Sequence, residues 1–402
     1  MKQRLQRLGF DTATWTQNLI LLAIAFFIQR FGLGLIDGAR TNFFVESLGL
    51  GSDQVLWLEG IREIPGLALI FLAALTMRLP LSYRTAASII LMGLGYGAYA
   101  FIGSYSALLV VAVIASLGMH MWLPLHSSLA MSLSPKGKTA TVVGTLNGIS
   151  ALASIIGMGV LALIGGLVTQ IPLSAYYLIG AGLVVVAGLL ILRVPRDVGV
   201  TATTPPRMLV KRRYWLYYVL TFLQGSDKQV LNTFGLLVLV ETFGLPVWQI
   251  SLILVASSIV NLIGSPYMGR LIDRFGERAM ISMSYVVLTV CCLGFAVSHN
   301  VWLLVVLLLA IKLFITVGIA LETYVYRNAP AEELTPTLSA GVSINHVTSV
   351  GMPLVAGAVL PYVGYEGVFL GTAGLILLSI PFALALEAKS PLMAPVAATA
   401  QD

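Results

Sequence analysis

Residues 303–321, LLVVLLLAIKLFITVGIAL, carry a single charge, and residues 178–192, LIGAGLVVVAGLLIL, carry none. With their flanks, runs of this kind match the roughly 20 mostly apolar residues that cross a bilayer. In hydrocarbon every backbone N–H and C=O must be satisfied within the segment, so an apolar run of this length folds as a helix. Runs like these recur along all 402 residues, giving 58% hydrophobic residues and a mean hydropathy of +0.94. A water-soluble globule cannot hide that much apolar surface. The chain is therefore expected to be an all-α polytopic membrane protein.

Hydropathy places spans at 15–45, 54–77, 85–104, 106–131, 139–164, 173–193, 214–241, 247–269, 279–298, 301–327, 336–361 and 366–387. The basic start MKQRLQRLGF leads into the first span, with no small-residue cleavage site after it, and reads as part of a retained first helix. Of the 23 Lys and Arg, Arg30, Arg40, Arg62, Lys228 and Lys312 lie inside spans. All the others fall at the ends and loops of one side, the cytoplasmic side if the N-terminus is inside. The formal charge of +6 is thus an orientation signal and no sign of nucleic acid. Cys291 and Cys292 are adjacent in one apolar run, so their side chains diverge and no disulfide is expected.

The longest polar segment, RVPRDVGVTATTPPRMLVKRR (193–213), separates the sixth span from the seventh. It divides the chain into an N-terminal six-helix bundle (1–193), a cytoplasmic linker (194–213), a C-terminal six-helix bundle (214–390) and a cytoplasmic tail (391–402). The halves share motifs. FFVESLGL (43–50) followed by Gln54 matches LVLVETFGL (237–245) followed by Gln249, and TLNG (145–148) matches SINH (343–346). Internal repeats of this kind mark secondary transporters.

The decapeptide GRLIDRFGER (269–278) holds five charges in ten residues of a chain that is only 10% charged. Its pattern, Gly269, Asp273, Arg274, Gly276 and Arg278, resembles the loop motif of the major facilitator superfamily. Twelve spans, a middle linker and two similar halves fit the same family over nearly the whole chain. The resemblance implies the MFS fold, two pseudo-symmetric six-helix bundles, with this motif as a cytoplasmic gating latch. Other parts depart from the family pattern. ALTMRLPLSYR (74–84) lacks the motif, with Arg78 in place of the aspartate, and the fifth span lacks the proline of drug–proton antiporters.

Ionisable groups inside a bilayer cost several kcal/mol unless paired or wet. Arg30, Gly34 and Asp37 share one helix face by the i, i+4, i+7 rule, with Gly34 leaving room between the charges. In the family, helices 1, 4, 7 and 10 line a central cavity, and here each carries a polar group near its middle: Arg30, His120, Lys228 and Lys312. Asp37, Asn147, Asp227, Asn345 and His346 complete the expected substrate and ion cavity. Arg40, Glu59, Arg62 and Glu63 form an expected ion network near the outer ends of helices 1 and 2. The histidines are not spaced as a metal site, and no metal is expected.

No phosphate-binding loop or clustered catalytic set occurs, so neither ATP hydrolysis nor enzyme activity is expected. The sequence reads as a secondary active transporter of a small organic solute, gradient-coupled, with a lean toward export. Two alternatives are an organic-anion importer or exchanger using Arg30 and Lys228, and a non-transporting sensor on the same fold. The implied partners are a small-molecule substrate, membrane lipid and a coupling ion such as the proton. The chain is expected to act as a monomer in the inner membrane, both termini cytoplasmic, without a cofactor.

Overall fold

The computed structural model describes residues 14–69, 76, 78–168, 170–199 and 210–387. Residues 200–209 of the expected linker, the tail 391–402 and most of the far end of the second span lie outside the described residues. The first helix, α1 (Gln17–Asn42), starts on Thr16, whose hydroxyl accepts from the Leu19 amide at 3.3 Å. Helices α2 (Ser52–Arg62) and α3 (Ile64–Leu67) fall in the described part of the second expected span. Next come α4 (Leu81–Ala98), α5 (Tyr105–Leu133), α6 (Thr139–Leu167) and α7 (Leu173–Ile191). Beyond the linker run α8 (Trp215–Leu237), α9 (Val247–Phe275), α10 (Glu277–Val297), α11 (Val301–Ile315), α12 (Ile319–Asn328) and α13 (Ala331–Leu384). Gly364, at φ 67° and ψ −176°, breaks α13 into the last two spans. Within the described residues, each expected span overlaps a helical segment. Among the described residues, eight helices are long and apolar enough to cross a membrane by themselves.

The repeat noticed in the sequence is also a repeat in structure. In each copy the helix ends in a π-helical turn, Phe43–Ser47 in the first and Val238–Thr242 in the second. Each turn is followed by a glycine in the left-handed region, Gly49 at φ 62° and Gly244 at φ 63°, where a side chain would be strained. Each then enters the next helix a few residues later. The two copies touch. Asn42 Nδ2 donates to the Leu245 carbonyl at 2.9 Å, and the Ser52 hydroxyl donates to Glu241.

Chain contacts define two compact units. The first comprises Met1–Arg207, Asn232–Ile259 and His346–Gly364; the second comprises Met208–Leu231, Val260–Asn345 and Tyr365–Asp402. In the first unit α1 packs on α6 and α7, while α4 packs on α5 and α7. Phe43, Tyr99 and Tyr177 stack at one end of this core, with ring centroids 4.3 Å and 5.5 Å from Tyr177. The space beside Gly34 is occupied, contrary to the expectation of room between two charges. A Cβ there would stand 2.5 Å from the Ser154 carbonyl and 3.2 Å from the Gly157 Cα of α6. Small residues let helix backbones meet where lipid offers no hydrophobic drive for association. In the second unit α10 packs on α11 and α12, and Phe295 stacks on Phe369 at 4.7 Å. The basic end of the linker is engaged in this unit. Glu333 accepts from Lys211 Nζ at 2.7 Å and Tyr214 Oη at 3.0 Å, and also pairs with Arg213. The Lys211 bond, followed by those of Tyr214 and Arg213, holds the Glu333 carboxyl below the usual carboxylate range.

Candidate functional site

Pro65 decides the local geometry of the second span. It cannot donate an amide hydrogen bond and restricts the residue before it, so α2 stops at Arg62 and α3 restarts at Ile64. Glu63 occupies the break. The helix pair is drawn against α13 by small residues. A Cβ on Gly60 would stand 2.9 Å from the Val350 carbonyl, and one on Gly357 would stand 2.3 Å from Trp57. Further along, a Cβ on Gly66 would meet His346 Nδ1 at 2.4 Å and His120 Nε2 at 2.9 Å. Both imidazoles therefore lie over the bare backbone of Gly66, beside Glu63.

The resulting cluster is buried and highly connected. His120, 1% exposed, places Nε2 3.3 Å from Glu63 Oε2. Its Nδ1 is 2.9 Å from the Ser116 carbonyl and 3.0 Å from the Ser116 hydroxyl, one turn back on α5. A carbonyl can only accept, so the ring proton is assigned to Nδ1. His346 Nδ1 lies 4.0 Å from the same Glu63 oxygen, and the two rings are 5.2 Å apart between centroids. Arg62 reaches the other Glu63 oxygen at 3.5 Å and binds Glu59 through Nε at 2.6 Å. The four charges expected to form one network divide by distance. Glu59, Arg62 and Glu63 form a chain, while Arg40 pairs with Asp37 on its own helix.

A second cluster sits around Arg30. Its guanidinium lies over the Trp122 ring at 4.5 Å from the centroid, and His126 stacks on Trp122 at 4.4 Å. Phe26 closes the group edge-on, 6.3 Å from Trp122. Arg30 Nε and Trp122 Nε1 are both buried and find no hydrogen-bond partner among the described residues. The neighbouring Gln29 is fully buried, with both amide atoms unpartnered in the same sense. Asp37, expected beside Arg30, takes Arg40 as its ion-pair partner instead.

A sequence profile described as Major Facilitator Superfamily matches residues 217–401. The fold agrees along almost the whole chain. The crystal structure of the nucleoside transporter NupG superposes with a TM-score of 0.77 at 17% identity, covering 92% of this chain and 99% of that one. A bacterial homologue of the human lysosomal transporter Spinster, in an inward-facing and unoccupied conformation, gives 0.71 at 12% identity. That match covers 91% of this chain and 95% of the homologue. The second half of the chain carries the Major Facilitator Superfamily profile, and nearly the whole chain has the fold of these transporters. At these identities the two structures speak for the fold alone, and no curated protein matches the chain by sequence. The profile and the fold together support a multi-pass membrane protein of the transporter kind.

The motif stretch, which lies inside the region matched by the profile, is mostly helix and only briefly loop. Helix α9 continues through Gly269, Asp273 and Arg274 to Phe275, and the turn is Gly276 alone, at φ 83°. Arg270 lies over Tyr267 at 4.3 Å, and Asp273, Arg274 and Arg278 are exposed. The buried charge of the decapeptide is Glu277, which pairs with Arg327 of α12 at 3.0 Å. The spacing pattern passed it over, although its place in the first turn of α10 suits an acid.

The remaining expected residues scatter. Asn147 is exposed on α6. Asp227 is buried on α8, and neither carboxylate oxygen has a hydrogen-bond partner among the described residues. Lys228, Lys312 and Asn345 are half-buried on α8, α11 and α13. Trp122, Ser116, Gln29 and Gly66 were not singled out in the sequence. The only available hint was the placement of Trp122 between two histidines of one helix.

Proposed function

We propose that the chain is a gradient-coupled carrier of a small organic solute bearing hydrogen-bond acceptors, above all an anionic group, bound against Arg30 and Trp122. The observation that carries this reading is the pair of orphaned donors, Arg30 Nε and Trp122 Nε1, on adjoining side chains. A buried donor left unpaired costs roughly 1–3 kcal/mol, so acceptors arriving on a solute relieve an existing penalty. The fixed fork of a guanidinium suits carboxylate or phosphate, and the Trp122 face keeps it oriented. A carrier with no nucleotide-binding loop in its sequence takes its energy from a gradient.

Movement of the halves 1–193 and 214–390 about this solute follows the alternating-access scheme, supported by the repeated π-turn and glycine element. The one-sided distribution of Lys and Arg supports cytoplasmic termini in the inner membrane. This orientation predicts that Lys136→Cys reacts with an impermeant maleimide only from the cytoplasmic side. Cys291 and Cys292 are buried and contribute little background. Labelling of intact cells from outside would reverse the topology.

The carrier reading is tested by a thermal-shift panel of carboxylates, sugar phosphates and, given the nucleoside transporter of like fold, nucleosides. Each solute that stabilises the protein is then followed by flux into proteoliposomes with and without an imposed proton gradient. A ligand at 100 times its Kd stabilises by about 2.7 kcal/mol. The expected hits bear acceptors, and their flux responds to a gradient. A panel in which only hydrophobic cations bind would overturn the assignment.

A further inference from the structure

Glu63, His120 and His346 bring one carboxylate oxygen and two ring nitrogens within 4.8 Å of one another. We propose that this triad binds a borderline divalent transition-metal ion of the zinc class, and that the ion clasps α3, α5 and α13 together. With the His120 proton assigned to Nδ1, opposite the Ser116 carbonyl, Nε2 presents a lone pair to Glu63 Oε2 at 3.3 Å. Two acceptors at that distance are bridged by a second proton on the ring or by a metal ion, and the convergence of a third ligand atom favours the ion. His346 Nδ1 approaches the same oxygen and has no hydrogen-bond partner among the described residues.

The donor set and its surroundings fit the ion. Two imidazoles and a carboxylate make the three-ligand set of open zinc sites, with a fourth position left for water or solute. Magnesium and calcium prefer all-oxygen shells. Bonds of about 2.0–2.1 Å in a tetrahedron set ligand atoms roughly 3.3 Å apart, so small side-chain rotations suffice here. The His120 Nδ1 bond to the Ser116 carbonyl is the outer-shell contact that orients a metal-bound imidazole. Arg62 is taken up by Glu59 and by the far oxygen of Glu63. Two carboxylates against one guanidinium leave the cluster one negative charge in excess, to the benefit of a cation. The three ligands come from segments far apart in the chain, so an ion among them restrains any motion that separates them. The binding claim stands on the triad alone, whereas the restraint on transport rests on the alternating-access reading.

The test is a titration of the purified, chelator-stripped full chain with Co2+, followed by displacement with Zn2+. One equivalent of Co2+ is expected to develop visible absorption, and Zn2+ to abolish it. His120→Gln and His346→Gln should each weaken binding at least tenfold, and His299→Gln, at an exposed position, should change nothing. Gly66→Ala keeps all three ligands but pushes a methyl into both rings, so it should weaken binding too. It serves, with Glu63→Gln, if a histidine variant does not fold. No Co2+ signal, a signal indifferent to these variants, or equal competition by Mg2+ would overturn the site. In proteoliposomes Zn2+ should stop solute flux by the natural protein, and a chelator should restore it. Flux untouched by bound Zn2+ removes the clasp, while absence of any flux without metal speaks against the carrier reading instead.

Discussion

Gly157→Leu is expected to yield almost no folded protein, and Gly157→Ala to lower the melting temperature clearly. A Cβ at Gly157 would stand 2.3 Å from the Phe31 carbonyl and 3.1 Å from the Gly34 Cα. These obstacles are backbone atoms of α1, so relief requires moving a whole helix whose buried residues include Leu19, Leu22, Phe26 and Ile36. Overpacking of this kind costs typically 1–3 kcal/mol, and more when the neighbour cannot yield. Parting the helices also forfeits the close contacts that hold small-residue interfaces together in a membrane. Gly159→Ala is the control on the same helix. Nothing lies within 4 Å of its Cβ, so the change brings only helix propensity, worth up to about 1 kcal/mol in favour of alanine. The measurement is the melting temperature and monodispersity of both variants in detergent. Equal behaviour of Gly157→Ala and Gly159→Ala would remove the α1–α6 contact from the account.

This packing shows where sequence reading ends. The i, i+4, i+7 rule put Arg30, Gly34 and Asp37 on one face, which is a property of a single helix. What that face meets is a property of two helices, and the apparent room beside Gly34 proved to be the seat of α6. The repeat around VES and VET was legible because a π turn and a left-handed glycine are local events that depend on adjacent residues. The end of α9 was misplaced because hydropathy follows depth in the membrane, while a helix runs on through its charged last turns until Gly276. Glu63, His120 and His346 were each noticed separately. Their meeting depends on Pro65 breaking the second span and on three glycines seating α2 and α3 against α13, and no spacing rule within one segment encodes that.

Arg30→Gln is expected to weaken binding of an anionic solute by about 10- to 100-fold, since a hydrogen bond to a charged group contributes roughly 1.5–3 kcal/mol. Arg30→Lys keeps the charge but loses the fork and the flat stack on Trp122, so it should fall in between. Trp122→Phe keeps the ring and removes the Nε1 donor, a smaller loss of about 2- to 10-fold at 0.5–1.5 kcal/mol for a neutral bond. Affinities follow from calorimetry with a solute found in the thermal-shift panel. A structural role for Arg30 makes the opposite forecast for the solute-free protein. Arg30 makes no ion pair among the described residues, and its buried Nε is unsatisfied. Removing such a donor leaves the empty protein as stable as before or more so, as expected where a site is held at the expense of stability. The combination of reduced affinity with an undiminished solute-free melting temperature therefore identifies a binding residue. A fall in that melting temperature with affinity unchanged would return Arg30 to the framework of the fold.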